Sequence, residues 1–224
     1  PGPGRAGALT DMVEGLKFIR GNSIFSFLIA MTFFNSFFGM AYITLMPVFS
    51  VDILKVGADG QGVLLSVGGV GSLAVTVWLG TRANFRHRGF VLIGGAVMTG
   101  LSLAAFSLTA KYVGSFNLAL ALMFVLGTFT SMYMISIMTS LQMMVPNRMR
   151  GRVMGFYGMT WNIMPLGGMY AGALAGLIGA PWAVAIGGLL VTGFAIGPAL
   201  LNRQIRNLSQ VMDRAEAAEA AAAG

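Results

Sequence analysis

Six long apolar runs separated by short polar interruptions make up most of this chain: Ile24 to Ser50, Gly60 to Gly80, Phe90 to Ala110, Asn117 to Val145, Val153 to Ile178 and Trp182 to Leu201. A helix rising about 1.5 Å per residue needs roughly 20 residues to cross a hydrocarbon core of roughly 30 Å, and every run is that long. The pattern predicts an all-α integral membrane protein with six transmembrane helices in one bundle. Before the first run, Leu9, Val13, Leu16 and Ile19 recur at helical spacing, with Asp11 and Glu14 at the start and Gly21 and Asn22 as a stop. This is the pattern of an amphipathic helix lying along a membrane surface. After the last run, Ile205, Leu208, Val211 and Ala215 share one face and lead into an alanine-rich stretch with Glu216 and Glu219. The chain thus divides into a lead-in over 1–23, a bundle over 24–201 and a tail over 202–224.

Charge orients the bundle. If the leading end is cytoplasmic, the inner segments hold Arg5, Lys17, Arg20, Arg82, Arg86, Arg88, Arg148, Arg150, Arg152, Arg203, Arg206 and Arg214, and the outer loops hold only Lys55 and Lys111. Twelve of the 14 basic residues fall on one side, in short loops beside membrane ends, so the positive-inside rule places both termini in the cytoplasm.

Composition narrows the function classes. With 56% hydrophobic residues, 9% charged residues and a mean hydropathy of +0.79, the main solvent is lipid. The net charge of +7 sits where anionic headgroups attract it, which points to membrane lipid and away from nucleic acid as a partner. Without cysteine there is no disulfide, thiol nucleophile or thiolate metal site, and the single His87 lies in a basic loop. No cofactor or metal is expected. No Ser-His-Asp set, intramembrane carboxylate pair or phosphate-cradling loop is present, so the chain does not read as an enzyme. No cleavable signal peptide is visible, and the opening Pro1, without methionine, suggests a trimmed product or a piece of a longer chain.

Several spans carry distinctive faces. The second has Gly62, Ser66, Gly68, Gly69, Gly71 and Ser72, the small-residue spacing of closely packed membrane helices. The fifth has Pro165 followed by Gly167 and Gly168, which predicts a kink. On the first span Phe27, Met31, Phe34, Asn35, Phe38 and Tyr42 form an aromatic stripe holding one amide. On the fourth, Thr128, Ser131, Thr139 and Gln142 share one face, and Met123, Met134 and Met138 lie in another sector. Polar groups at depth turn away from lipid, so Phe34, Asn35, Phe38, Thr128, Ser131 and Met134 are candidates to line a substrate cavity. Trp161 and Asn162 form a third candidate pair. The same side chains also fit plain helix packing, since Ser and Thr can bond their own helix carbonyls and methionine suits any irregular core. No Asp, Glu, Lys, Arg or His lies deep in a span, so no ion-coupling site is evident in this chain.

The order of these elements, with the segment P-N-R-M-R-G-R-V-M-G from Pro146 to Gly155, resembles the carboxy-terminal six-helix half of a major facilitator superfamily transporter. More narrowly it is similar to the branch of enterobactin-exporter-like and macrolide-efflux-like proteins, in which E-G-L-x-F-I-R precedes the seventh helix, as Glu14 to Arg20 do here, and Leu-x-Pro closes it, as Leu45 to Pro47 do. The loop motif G-x-x-x-D-R-x-G-R-R is met only at Gly80, Asn84 and Arg88, with Phe85 and His87 in place of the arginine and glycine. Arg82, Asn84 and Arg88, with Arg148, Arg150 and Arg152, therefore stand as cytoplasmic-loop candidates, more suited to surface anchoring than to a charge relay. Pro165-Leu166-Gly167-Gly168 resembles the antiporter motif G-P-x-x-G-G, but Met164 replaces the glycine and the spacing is one short.

The resemblance implies alternating access between two six-helix bundles of a secondary exporter of amphipathic small molecules, drug or siderophore in type, in a bacterial inner membrane. It further implies that the first and fourth helices line the cavity, the second and fifth face the partner bundle, and the third and sixth face lipid, with Leu92 and Leu190 as outward positions. The partner would be a six-helix amino-terminal half in the same parent chain. A homodimeric half-size carrier completed by a second copy, and a non-transporting membrane scaffold, remain open as alternatives.

Overall fold

The computed structural model describes residues 5–81 and 88–201, and the described residues are all-helical. Among the described residues, five helices are long and apolar enough to cross a membrane: Ser23–Ile53, Gly57–Thr81, Gly89–Tyr112, Phe116–Met144 and Ala180–Pro198. The lead-in is α1 (Arg5–Arg20). The first span comprises α2 (Ser23–Phe34), a π-helical turn over Asn35–Gly39, α3 (Tyr42–Val48) and a second π turn over Phe49–Ile53. The rest are α4 (Gly57–Thr81), α5 (Arg88–Tyr112), α6 (Phe116–Met144), α7 (Asn147–Trp161), α8 (Met164–Ile178) and α9 (Ala180–Leu201). Residues Arg82 and Asn84 and the tail over 202–224 lie outside the described residues, and Arg88 opens α5.

Helix ends follow local chemistry. Asn22 caps α2 by accepting a bond from the Ile24 amide at 2.9 Å, Ser115 caps α6, and Gly179 ends α8 at a φ of +88°, where a side chain would be strained. In both π turns an amide reaches five residues back, Met40 to Asn35 at 2.9 Å and Leu54 to Phe49 at 2.8 Å. The second follows Pro47, which lacks a donor for the regular ladder.

The single kinked helix expected over Val153 to Ile178 is instead two helices of 15 residues, each only about 22 Å long. The chain breaks at Asn162 and Ile163, and Pro165 occupies the first turn of α8, where its missing N–H costs nothing. Gly167 and Gly168 follow the break directly, the Gly167 N–H donating to the Ile163 carbonyl at 3.1 Å. They let α8 approach the first span, at the Phe37 carbonyl and Thr44 respectively.

The bundle is held by extensive pairings of α5 with α6 and α9, and of α4 with α6. At the α4–α6 crossing a Cβ on Gly127 would overlap the Gly68 carbonyl, and one on Gly71 the Phe124 carbonyl. At α5–α9, Gly100 and Gly188 meet backbone to backbone, and Thr192 Oγ1 donates to the Gly188 and Val97 carbonyls at 3.0 and 3.3 Å. One core cluster gathers Phe27, Leu28, Met31, Leu92, Tyr133 and Ile137, and a second gathers Met46, Phe49, Leu64, Leu103, Phe106 and Met123. Leu92, expected to face outward, is fully buried in the first cluster. A peripheral helix still turns one face inward. The outward face of α5 carries Phe90, Met98 and Leu101, and Leu190 on α9 is 38% exposed as expected.

Candidate functional site

Sequence spacing places Phe27, Phe34 and Phe38 on one stripe, and the fold gives that stripe specific partners. Phe34 stacks on Phe194 of α9 with ring centroids 4.0 Å apart, and Phe38 meets Tyr170 of α8 edge-on at 5.4 Å. Asn35 opens the π turn, is 2% exposed, and lies against the Cα of Gly39, which itself approaches Val191. The first-span stripe thus packs toward α8 and α9.

Hydroxyls of the fourth span look the other way. Thr128 Oγ1 donates to the Phe124 carbonyl at 2.8 Å and lies against Gly71, and the Ser131 and Ser72 hydroxyls hydrogen-bond across the α4–α6 crossing. Met134 is half-buried against the first core cluster. The two stripes therefore engage different neighbours, and within this bundle Asn35 and Ser131 do not converge on one surface. Trp161 is half-buried with its ring edge-on to Tyr157, and Asn162 is exposed at the break between α7 and α8.

At the basic end, Glu14 of α1 pairs with Arg152 of α7, and Gly15 lets α1 close on the Phe156 ring. The segments E-G-L-x-F-I-R and P-N-R-M-R-G-R, far apart in sequence, thereby meet. Phe18 stacks on Phe25 and Ser26 Oγ donates to the Ile19 carbonyl at 2.8 Å, so α1 docks on the first and fifth spans while Met12, Val13 and Leu16 stay exposed. Arg148 is exposed, and Arg150 is half-buried with its Nε lacking a hydrogen-bond partner. At the opposite end, Lys111 lies over the Tyr112 and Trp182 rings, 5.3 and 5.4 Å from their centroids, an arrangement suited to a membrane interface.

Sequence reasoning missed the π turn at Asn35 and the buried hydroxyl of Ser36, which has no hydrogen-bond partner. An unpaired buried hydroxyl costs about 1–3 kcal/mol, and nothing in the local sequence marks it.

Glycines divide the helix surfaces into two kinds. Gly71, Gly100, Gly127 and Gly188 are covered by neighbouring helices. Gly62 and Gly69 on α4, and Gly151, Gly155 and Gly158 on α7, have open space where a Cβ would stand. The second and fourth spans bury only 22% of their most apolar stretches, against 56% for the third and sixth. Uncovered glycines are most numerous on the second and fifth spans, although Gly94 on α5 and Gly193 and Gly197 on α9 are open as well.

Residues 2–169, which include α1 through the first turn of α8, match the family described as Major Facilitator Superfamily. The chain belongs to that superfamily. It is an integral membrane protein of a transporter family, and its broad function is transmembrane transport, not enzymatic catalysis. No curated protein and no solved structure matches the chain. In this major facilitator bundle the expected all-α fold is present: among the described residues five of the six apolar runs form helices long and apolar enough to cross a membrane, and the fifth run forms two short helices, α7 and α8.

Proposed function

We propose that the chain is the carboxy-terminal bundle of a secondary exporter of amphipathic small molecules, working by alternating access against a six-helix amino-terminal half. The carrying observation is the pair of uncovered small-residue faces on α4 and α7: glycine surfaces permit close backbone approach, yet here no helix approaches them. They lie on the two spans that, in the superfamily arrangement, would face the other bundle. The reading places the protein in a bacterial inner membrane, with the lead-in over 1–23 and the tail over 202–224 in the cytoplasm. Half-exposed Phe34 and Phe38 lie on one surface and half-exposed Thr128 and Ser131 on another, so one of these two sets would line the cavity, with half-exposed Met134 and Trp161 and exposed Asn162 as further candidates. Asn35 would reach substrate only if the π turn rearranges.

Expressed alone, the chain should insert but fail to drive uphill efflux of a fluorescent dye panel, because it has half a cavity and no deeply placed ionisable group. Co-expression with a matching amino-terminal half should restore gradient-driven efflux. Uphill transport by the purified chain alone would favour the homodimeric carrier, and insertion with no restoration by any matching half would favour the scaffold.

A further inference from the structure

The first and fifth spans enter the membrane from the same end and leave a groove of about 390 Å³ between α2 and α7. That volume falls in the range of small-ligand sites, roughly 300–1,000 Å³. Its walls are Ile29, Ala30 and Phe33 on one side and Phe156, Met159 and Ile163 on the other, with Arg20 beside them. From Ser26 to Phe33, and from Phe156 to Ile163, each wall descends seven residues, about 10 Å along a helix. The two hydroxyls in the groove are already engaged: Ser26 Oγ with the Ile19 carbonyl, and Thr160 Oγ1 with the Tyr157 carbonyl at 2.6 Å. Recognition of a polar head therefore falls to the Arg20 guanidinium.

We propose that this groove binds an anionic phospholipid of the inner leaflet, its phosphate at Arg20 and one acyl chain between α2 and α7. A charged residue beside an open apolar groove matches a molecule with an anionic head and a hydrocarbon tail. A small soluble anion would leave the groove empty. A helix of another protein would fill the groove and leave the guanidinium to find water. Arg20 stands on the side of the chain that holds twelve of its 14 basic residues, where the inner leaflet would supply such a lipid. The proposal rests on membrane insertion and on the groove, and it stands or falls separately from transport.

To test it, a benzophenone amino acid replaces Met159 in one variant of the chain and Phe33 in another. Each is reconstituted in phosphatidylcholine vesicles containing phosphatidylglycerol with the same acyl chains. After illumination, adduct headgroups are identified by mass spectrometry. Phosphatidylglycerol should be enriched among adducts over its share of the vesicle by about fivefold, as expected for one cation near a membrane surface. Arg20→Gln should bring that ratio close to one without lowering total adduct yield. Lys17→Gln, one turn earlier and outside the groove lining, should leave the enrichment in place. Adducts that follow bulk lipid composition, enrichment that survives Arg20→Gln, or cross-links predominantly to protein would each overturn the assignment.

Discussion

Gly127→Leu should abolish folding of the bundle, whereas Gly155→Leu should leave the isolated chain at least as stable as before. At Gly127 even a Cβ would overlap the Gly68 carbonyl, so the α4–α6 crossing must open before leucine fits. Overpacking a good interface costs about 1–3 kcal/mol, and more where two backbones must separate. The Ser72–Ser131 bond at the same crossing would break with it. At Gly155 the position is open, and removing glycine from an exposed helix gains about 1 kcal/mol of propensity. Thermal unfolding in detergent with monodispersity by gel filtration separates the two cases. In the intact transporter the order should invert for Gly155→Leu: a normal membrane level with transport reduced at least about tenfold, the equivalent of about 1.4 kcal/mol. Equal stability of the two variants would mean that the α4–α6 contact is not what holds this bundle.

A second all-or-none result is expected for topology. Arg148→Cys should react with an impermeant thiol reagent only after the inner face is opened, and Lys111→Cys should react in intact cells. Because the chain has no cysteine, each reporter stands alone. Basic residues at a helix centre cost about 2.5–3.5 kcal/mol each, and the twelve-to-two distribution biases insertion strongly toward one orientation. The fold adds a geometric constraint, since the Glu14–Arg152 pair ties α1 to the start of α7 at one end and Lys111 meets Trp182 at the other. Labelling of position 148 from outside would reverse the map.

Helix positions were legible because each depends on local signals. The run expected from Asn117 to Val145 is α6, Phe116–Met144, with Ser115 capping its start and Pro146 following its end. Spacing also placed Phe34 and Phe38 on one stripe, but their partners Phe194 and Tyr170 lie far along the chain and no local pattern names them. Pro165 marked the disturbance in the fifth span correctly to within a turn. Whether it bends a helix or starts a new one depends on whether the preceding turn keeps its bonds, and here the chain leaves the helix at Asn162.

Which way a face points was the least legible property. A hydroxyl stripe such as Thr128 and Ser131 is satisfied equally by its own carbonyls, by Ser72 across a helix crossing, or by a ligand. Leu92 shows the same limit from the other side, because the place of a helix in the bundle does not fix the direction of each residue on it. The π turn at Asn35 leaves no periodic trace, since one bond shifted to five residues back changes neither composition nor spacing.

Single cysteines at Gly69, Gly155 and Leu101, each paired with cysteines on the membrane face of a co-expressed amino-terminal half, test directly whether the uncovered faces meet a second bundle. Oxidation should cross-link positions 69 and 155 to that half and leave Leu101, on the outward face of α5, unlinked. Cross-links of position 155 only to another copy of this chain, or cross-links to the amino-terminal half from Leu101 as readily as from Gly155, would contradict it.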